Sequence, residues 1–226
     1  MNKKTIKFIN SVKKDRSAMI LLLSNILTII FALTGQWDLL IIMSGYWLQS
    51  VIIGFFNFLR IINLKDFSVK DFEINDRPTK AVKNTKIFVA FFFAFHYGLF
   101  HFGYLSSLIA FMEERGINIT NEIYPLALIG IIFFLNHLFS FWYNRKEFEG
   151  KKPNIGKIMF FPYARIIPMH LAIMTYGAFV IFSGIIGYEL YFMPLVLFLV
   201  LKTFSDLIMH IVEHNKFKDI DSVTEI

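Results

Sequence analysis

The sequence predicts an all-α, polytopic membrane protein with six transmembrane helices and both termini in the cytoplasm. Of the 226 residues, 56% are hydrophobic and 28 are phenylalanine, whereas soluble domains are nearer ~45–50% apolar. Six apolar stretches reach or approach the ~20 residues that a helix needs to cross a bilayer. The basic residues gather in alternate connections between these stretches, which is typical of a multi-pass membrane protein.

The chain divides into a basic cytoplasmic N-terminal segment (1–16), a six-helix transmembrane domain (17–214) and a short cytoplasmic tail (215–226). Tight turns that begin with glycine separate the first two spans and the last two, and longer polar connections separate the others. The predicted spans are about 17–34, 39–62, 87–111, 123–143, 166–187 and 191–214, and the connections are 35–38, 63–86, 112–122, 144–165 and 187–189.

Lysine and arginine are distributed very unevenly over the two sides of this arrangement. Twenty of them fall in the N-terminal segment, in connections 63–86 and 144–165 and in the tail, whereas the opposite connections contain only Arg115. Because positive residues stay in the cytoplasm, both termini are predicted to be cytoplasmic, in the plasma (prokaryotic inner) membrane.

The same distribution explains the net charge of +6 without nucleic acid as a partner, because the basic residues lie where topology requires them. The expected partner is the lipid bilayer, with anionic headgroups at the basic cytoplasmic loops. The N-terminal segment interleaves basic and apolar residues, which favours a membrane-surface segment; a solvated topogenic tail is the alternative.

The sixth span ends in a stripe of ionisable side chains. Lys202, Asp206, His210 and His214 follow one another at i, i+4 steps, and each step drifts by only about 40° around a helix. Such groups are costly at membrane depth, so the stripe must face the protein interior, and it indicates a functional site.

Histidines are expected to cluster in the cytoplasmic half of the membrane domain. The fifth span is expected to enter near Arg165, with His170 in its first turns, and helical rise brings five of the six histidines into this half or near the midplane. Because the chain has no cysteine, imidazole and oxygen are the ligands that it offers a metal. The predicted zinc ligands are His96, His170, His210 and, as a spare, His214.

Catalytic roles are predicted for Asp206 and Lys202. Asp206 is interpreted as a ligand, an orienter of His210 or a general base. Lys202 either neutralises Asp206 one turn away or binds a substrate phosphate or carboxylate. Zinc activates water for hydrolysis, so the predicted function is a metal-dependent hydrolase of a lipid-like substrate from the cytoplasmic leaflet.

Helical geometry separates the two histidines of the third span. His96 and His101 are five residues apart, or about 140° around a helix, so they face different neighbours. His96 is better placed to meet the sixth span, and Tyr97 and His101 are expected to face another helix. His101 and His137 are predicted to form interhelical hydrogen bonds. Close approach of a neighbour is expected at the two glycines of this span, Gly98 and Gly103.

Several stretches resemble an uncharacterised bacterial and archaeal family of multi-pass membrane proteins, known as a domain of unknown function. The resemblance implies a polytopic fold over most of the six spans and no known activity. Glu is common in that family where this chain has Gln49, so one possible carboxylate ligand is missing. The matching stretches are Tyr46–Gln49 with Gly54, Asn57 and Arg60, then His96–Gly98, Arg165–His170 and Lys202–His214.

A weaker similarity is to the alkaline-ceramidase and adiponectin-receptor superfamily of membrane zinc hydrolases, which also have His-x-x-x-His in the last span. Those proteins have seven spans and a Ser-x-x-x-His motif in an earlier one. The chain has six predicted spans, and its Ser106 and Ser107 follow His101 rather than precede it. The similarity therefore serves as an analogy for the zinc hypothesis.

Two other functional classes fit the same residues. In a b-type haem protein, His96 with His170 or with His210 would be axial ligands in an apolar pocket. In a proton-coupled transporter, Lys202, Asp206 and His210 would form a relay towards the cytoplasm. The absence of an evident internal repeat in the sequence disfavours the transporter.

The Lys202–Asp206 pair generates a stability prediction. Left exposed to lipid, each charge would cost roughly 2.5–3.5 kcal/mol, and removing one partner leaves the other buried and uncompensated. Lys202→Ala and Asp206→Ala should each lower the melting temperature in detergent. The double Lys202→Leu, Asp206→Leu variant should recover much of the loss. Single variants as stable as the parent would show that the pair is solvated.

Overall fold

The computed structural model describes residues 26, 30, 38–70, 72–74, 77, 78, 80–143, 152–186 and 196–205, and these residues are predominantly helical. Most of the predicted first span, and residues 206–214 of the predicted sixth, lie outside the described residues. A two-stranded antiparallel ladder connects the first two described helices. The elements are α1 (Leu39–Ile62), β1 (Glu73–Ile74), β2 (Arg77–Pro78), α2 (Lys83–Glu114), α3 (Ile119–Tyr143), α4 (Ile155–Phe160), α5 (Tyr163–Ile186) and α6 (Val196–Ser205).

Four helical stretches of the described chain are long and apolar enough to cross a membrane. The predicted second span coincides with α1, and the predicted third and fourth spans lie within α2 and α3. The prediction of a helical protein with several helices suited to crossing a membrane is therefore confirmed. The four candidate spans are Leu39–Ile62, Lys83–Glu114, Ile119–Phe139 and Ile155–Ala178.

The fold divides into two compact units. The core unit is Leu40–Ile166, and the terminal unit combines Met1–Leu39 with Ile167–Ile226. In the core unit, α1 packs against both α2 and α3. In the terminal unit, α5 buries Met169, Ala172 and Tyr176, which recur every three or four residues and so share one helix face.

The helix α2 packs along one narrow stripe. Phenylalanines on its other faces are exposed, which fits a helix that meets lipid on most of its circumference. The stripe is buried at intervals of three or four residues, at Val89, Phe93, Tyr97, His101, Tyr104, Leu108 and Met112.

The contact between α1 and α3 is largely aromatic. A Cβ added to Gly130 on α3 would lie 2.6 Å from Leu48 Cδ2 on α1, so the two helices approach closely there. Towards the ends of the two helices, the Phe56 ring lies 5.4 Å from the Phe134 ring and 6.1 Å from the His137 imidazole, centroid to centroid.

The predicted basic loop 144–165 contains the start of a helical stretch, so that prediction was wrong. Asn154 caps α4 by accepting a hydrogen bond at Oδ1 from the Lys157 N–H at 3.0 Å, which satisfies one of the free donors of a helix N-terminus. Its side-chain amide also donates to the Lys70 carbonyl at 2.7 Å. Asn154 therefore ties α4 to the connection between α1 and α2.

The early helix start changes the depth of two sequence-predicted residues. The candidate span is Ile155–Ala178, so Arg165 lies near its middle instead of at its entrance. His170 is the eighth residue of α5 and the sixteenth of the 24 residues of this candidate span.

Contacts with α1 support this deeper position of Arg165. The Asn57 amide donates to the Ile158 carbonyl, and the Tyr46 hydroxyl donates to the Arg165 carbonyl, both at 3.2 Å. The contacts run in opposite order along the two helical stretches, so α1 is antiparallel to the α4–α5 stretch. Tyr46 is the eighth of the 24 residues of α1, which puts Arg165 well away from the helix end that carries Arg60.

Among the described residues, no close approach is seen at Gly98 and Gly103, where the sequence predicts one. No described residue lies within 4 Å of a Cβ added at either position. A Cβ added at Gly54 would instead lie 2.5 Å from Tyr97 Cε1, so α1 uses its glycine to accept a tyrosine ring from α2.

Gly54→Ala should therefore destabilise the protein, because the new methyl overlaps the Tyr97 ring; overpacking of this kind costs about 1–3 kcal/mol. Gly45→Ala is the matched control on the same helix, since a Cβ there meets no described atom within 4 Å. The measurement is the melting temperature of both variants in the same detergent. Equal melting temperatures for the two variants would contradict the close contact.

Candidate functional site

A buried polar network joins α1 to α2 near the middle of both helices. His101 Nε2 lies 2.9 Å from Ser50 Oγ, and Ser50 Oγ lies 2.7 Å from the Tyr97 hydroxyl. The Tyr97 hydroxyl also lies 3.1 Å from the Ser50 carbonyl, which is a second acceptor for its proton. Only 4–5% of the surface of each of these three residues is exposed, so the network is shielded from its surroundings by the protein.

One hydrogen bond fixes the tautomer of His101 when its imidazole is neutral. Nδ1 lies 2.9 Å from the Tyr97 carbonyl, and because a carbonyl can only accept, Nδ1 carries the proton and donates. Nε2 is then the acceptor, and the Ser50 hydroxyl donates to it. The prediction that His101 forms an interhelical hydrogen bond is confirmed.

Two further contacts hold the network in place. The Trp47 indole donates to the His101 carbonyl at 2.8 Å. The Tyr97 ring stacks on the His101 imidazole with centroids 4.2 Å apart, and it also lies against Gly54. The sequence prediction that Tyr97 and His101 face another helix together is also confirmed, and that helix is α1.

His96 makes different contacts on another face of α2. Its Nδ1 lies 2.8 Å from the Tyr163 hydroxyl, and the ring stacks on Phe92 and meets Phe100 edge to face. None of the described residues forms a hydrogen bond with its Nε2. His96 is half-buried, so Tyr163 fixes the orientation of an imidazole that has one uncommitted nitrogen in the described part of the chain.

The other sequence-predicted site residues fall outside the core unit. His170 is exposed on α5 and Lys202 is half-buried on α6, and both belong to the terminal unit. Asp206, His210 and His214 lie outside the described residues. Within the described ranges, no group of three or more His, Asp or Glu side chains could hold a metal. The zinc site therefore stays a prediction.

His137 and two arginines lie on three different helices of the core unit. His137 on α3 is within electrostatic range of Arg60 on α1 and Arg165 on α5. Arg165 is also within range of Tyr97. The core unit thus brings together three basic side chains that the sequence analysis places in two spans and a connection.

Sequence reasoning missed Ser50 and Tyr163. Ser50 is 51 residues from His101, and one serine in an apolar helix carries no signal unless the partner helix is known. Tyr163 lies in the predicted connection 144–165. The residues before it offered a detectable signal, because Asn154 followed by an apolar stretch is typical of a capped helix start.

A family model described as a family of unknown function (DUF6498) matches residues 9–221. None of the curated proteins and none of the solved structures in the comparisons matches the chain.

Proposed function

We propose that this chain, which belongs to the DUF6498 family of unknown function, is a multi-pass membrane protein with a divalent metal site centred on His96. The observation that carries the proposal is the hydrogen bond between His96 Nδ1 and the Tyr163 hydroxyl at 2.8 Å. Metal-ligating histidines bind through one ring nitrogen and use the other for such an orienting bond.

The remaining ligands of the proposed site come from the later helices. His170, His210 and, as a spare, His214 offer imidazole nitrogens, and Asp206 offers a carboxylate for ligation, for orienting His210 or for general-base work. Lys202 binds the anionic part of a substrate or neutralises Asp206. Zinc would supply Lewis-acid chemistry, and the proposed reaction is hydrolysis of a lipid-like substrate from the cytoplasmic leaflet.

The proposed topology has six spans in the plasma (prokaryotic inner) membrane, with both termini in the cytoplasm. It combines the four candidate spans with the two apolar stretches at 17–34 and 191–214. The support is the charge asymmetry of the connections, which survives the transfer of Lys157 and Arg165 from connection 144–165 to a span. Anionic headgroups would contact the basic connections on the cytoplasmic side.

The absence of cysteine makes this topology directly testable with single-cysteine variants. Asn118→Cys should react with a membrane-impermeant maleimide on intact cells, because its loop is proposed to lie outside. Lys152→Cys and Ser222→Cys should react only after the membrane is opened. The reverse pattern would overturn the orientation, and labelling of Ser222→Cys together with Asn118→Cys on intact cells would overturn the even number of spans.

The metal proposal predicts the metal content of protein purified without chelator. The parent should contain about one metal ion per chain, and His96→Ala should lose most of it. Tyr163→Phe keeps the imidazole and removes its orienting hydroxyl, so metal affinity should fall by about 10–100-fold. His137→Ala is the control, because that histidine is on another helix and outside the proposed ligand set.

Less than about a tenth of an equivalent of any metal in the parent would contradict this proposal. Equal losses in His96→Ala and His137→Ala would contradict the assignment of His96. A Soret absorbance band in protein grown with ample haem would instead support the haem hypothesis, in which His96 is an axial ligand.

A further inference from the structure

Ser50 departs from the way in which most serine and threonine hydroxyls of the described helices are satisfied. Serine and threonine in apolar helices commonly donate to the carbonyl four residues earlier, and Ser44 donates to the Leu40 carbonyl in this way at 2.7 Å. Ser50, on the same helix, instead places its Oγ between the His101 imidazole and the Tyr97 phenol. The same local bond as in Ser44 is made by Ser106, Ser107, Thr175 and Thr203.

The hydrogen bonds of this network can reverse without movement of a heavy atom. If Nε2 of His101 takes up a proton, it donates to Ser50 Oγ across the same 2.9 Å. The Ser50 hydroxyl then donates to the Tyr97 oxygen at 2.7 Å, and the Tyr97 hydroxyl donates to the Ser50 carbonyl at 3.1 Å. Every donor of the protonated network therefore has an acceptor, because both hydroxyls can donate as well as accept.

We propose that Ser50, Tyr97 and His101 form a proton-binding site in the middle of the membrane domain. The ligand is a proton from solvent, which adds to His101 Nε2 and leaves the imidazole with two N–H donors. Nδ1–H keeps its bond to the Tyr97 carbonyl. The imidazolium charge is thus met by two oxygen acceptors, and hydrogen bonds from a charged donor are about twice as strong as neutral ones.

The surroundings of His101 determine the free-energy cost of protonating its imidazole. Burial of a charge is unfavourable, and the two charge-assisted bonds offset only part of that cost. From α2, Tyr97 and Tyr104 face His101, with the Tyr104 ring centroid 5.9 Å away. From α5, Tyr163 packs on Tyr97 at 5.5 Å, and Arg165 acts on Tyr97 electrostatically. The described part of α1 contributes the uncharged Trp47 and Ser50.

The proposed proton site is independent of the proposed metal site. His96 faces Tyr163 through its own Nδ1, whereas His101 faces α1. Ser50 is the twelfth of the 24 residues of α1, so a proton held there lies close to the centre of the span. Titratable groups at this depth are typical of proteins that couple an activity to protons.

Nitrogen-15 NMR of labelled histidine side chains in lipid nanodiscs tests the proposal directly. The His101 signals are identified by their loss in His101→Gln, which keeps polarity but cannot ionise. As the pH is lowered from about 8, they should change reversibly from the Nδ1–H tautomer to the doubly protonated imidazolium while the protein stays folded. A His101 that stays neutral down to the pH at which the protein unfolds would overturn the proposal.

Two variants test the role of the two hydroxyls whose hydrogen bonds can reverse, and Ser44→Ala is the matched control. Ser50→Ala removes the acceptor of Nε2–H, so the His101 titration midpoint should fall by at least about one pH unit, a tenfold loss of proton affinity. Tyr97→Phe removes the acceptor of the Ser50 hydroxyl and should shift the midpoint in the same direction. Ser44→Ala should leave it unchanged.

A midpoint that moves equally in Ser44→Ala and Ser50→Ala would refute the role of the network. If Ser50→Ala does not fold, Ser50→Thr supplies the second measurement. It retains a hydroxyl at this position, so it should keep the parent midpoint to within about a third of a pH unit. A midpoint that falls by a full unit in a folded Ser50→Thr protein, although the hydroxyl is present, would also count against the network.

Discussion

Polar groups within apolar helices must be satisfied by the protein itself, and this constraint organises the core unit. A membrane offers no water to an unpaired hydroxyl, amide or imidazole. Most described helical hydroxyls meet the constraint locally, through a carbonyl of their own helix. Ser50, Tyr97 and His101 meet it across two helices, so they fix which faces of α1 and α2 come together. Gly54 then supplies the space in which the Tyr97 ring lies against α1.

The α4–α5 stretch depends on the same constraint. The Asn57 amide and the Tyr46 hydroxyl of α1 donate to its carbonyls. Pro162 has no N–H to donate to the Ile158 carbonyl four residues earlier, so that carbonyl is left to accept from the Asn57 amide. The outcome is that Tyr163 packs on α2 and Arg165 lies within the span.

The sequence was sufficient to predict the helices of the core unit and insufficient to predict their contacts. Apolar length alone identified α1 at its observed ends and located α2 and α3, because crossing a bilayer requires about 20 apolar residues. The same criterion failed at α4, where Lys157, Pro162 and Arg165 suggested a loop. In the structure these residues are compatible with a helical stretch: Asn154 caps it and Pro162 lies at its turn. Charge and proline are weaker signals of a loop when apolar residues surround them.

The two histidines of α2 show why the candidate sites needed the structure. Their spacing already predicted that they face different neighbours, but not which neighbour each one meets. His101 has both nitrogens engaged, one by a carbonyl of its own helix and one by Ser50, so it has no free position for a metal while the network is closed. His96 has only its Nδ1 engaged among the described residues. Because both ring nitrogens of His101 are engaged, and only one of His96 is engaged among the described residues, the metal hypothesis concerns His96 and the proton hypothesis concerns His101. The nitrogen of His96 proposed for the metal and the Nε2 of His101 proposed for the proton belong to separate helix contacts. Either site can therefore exist without the other.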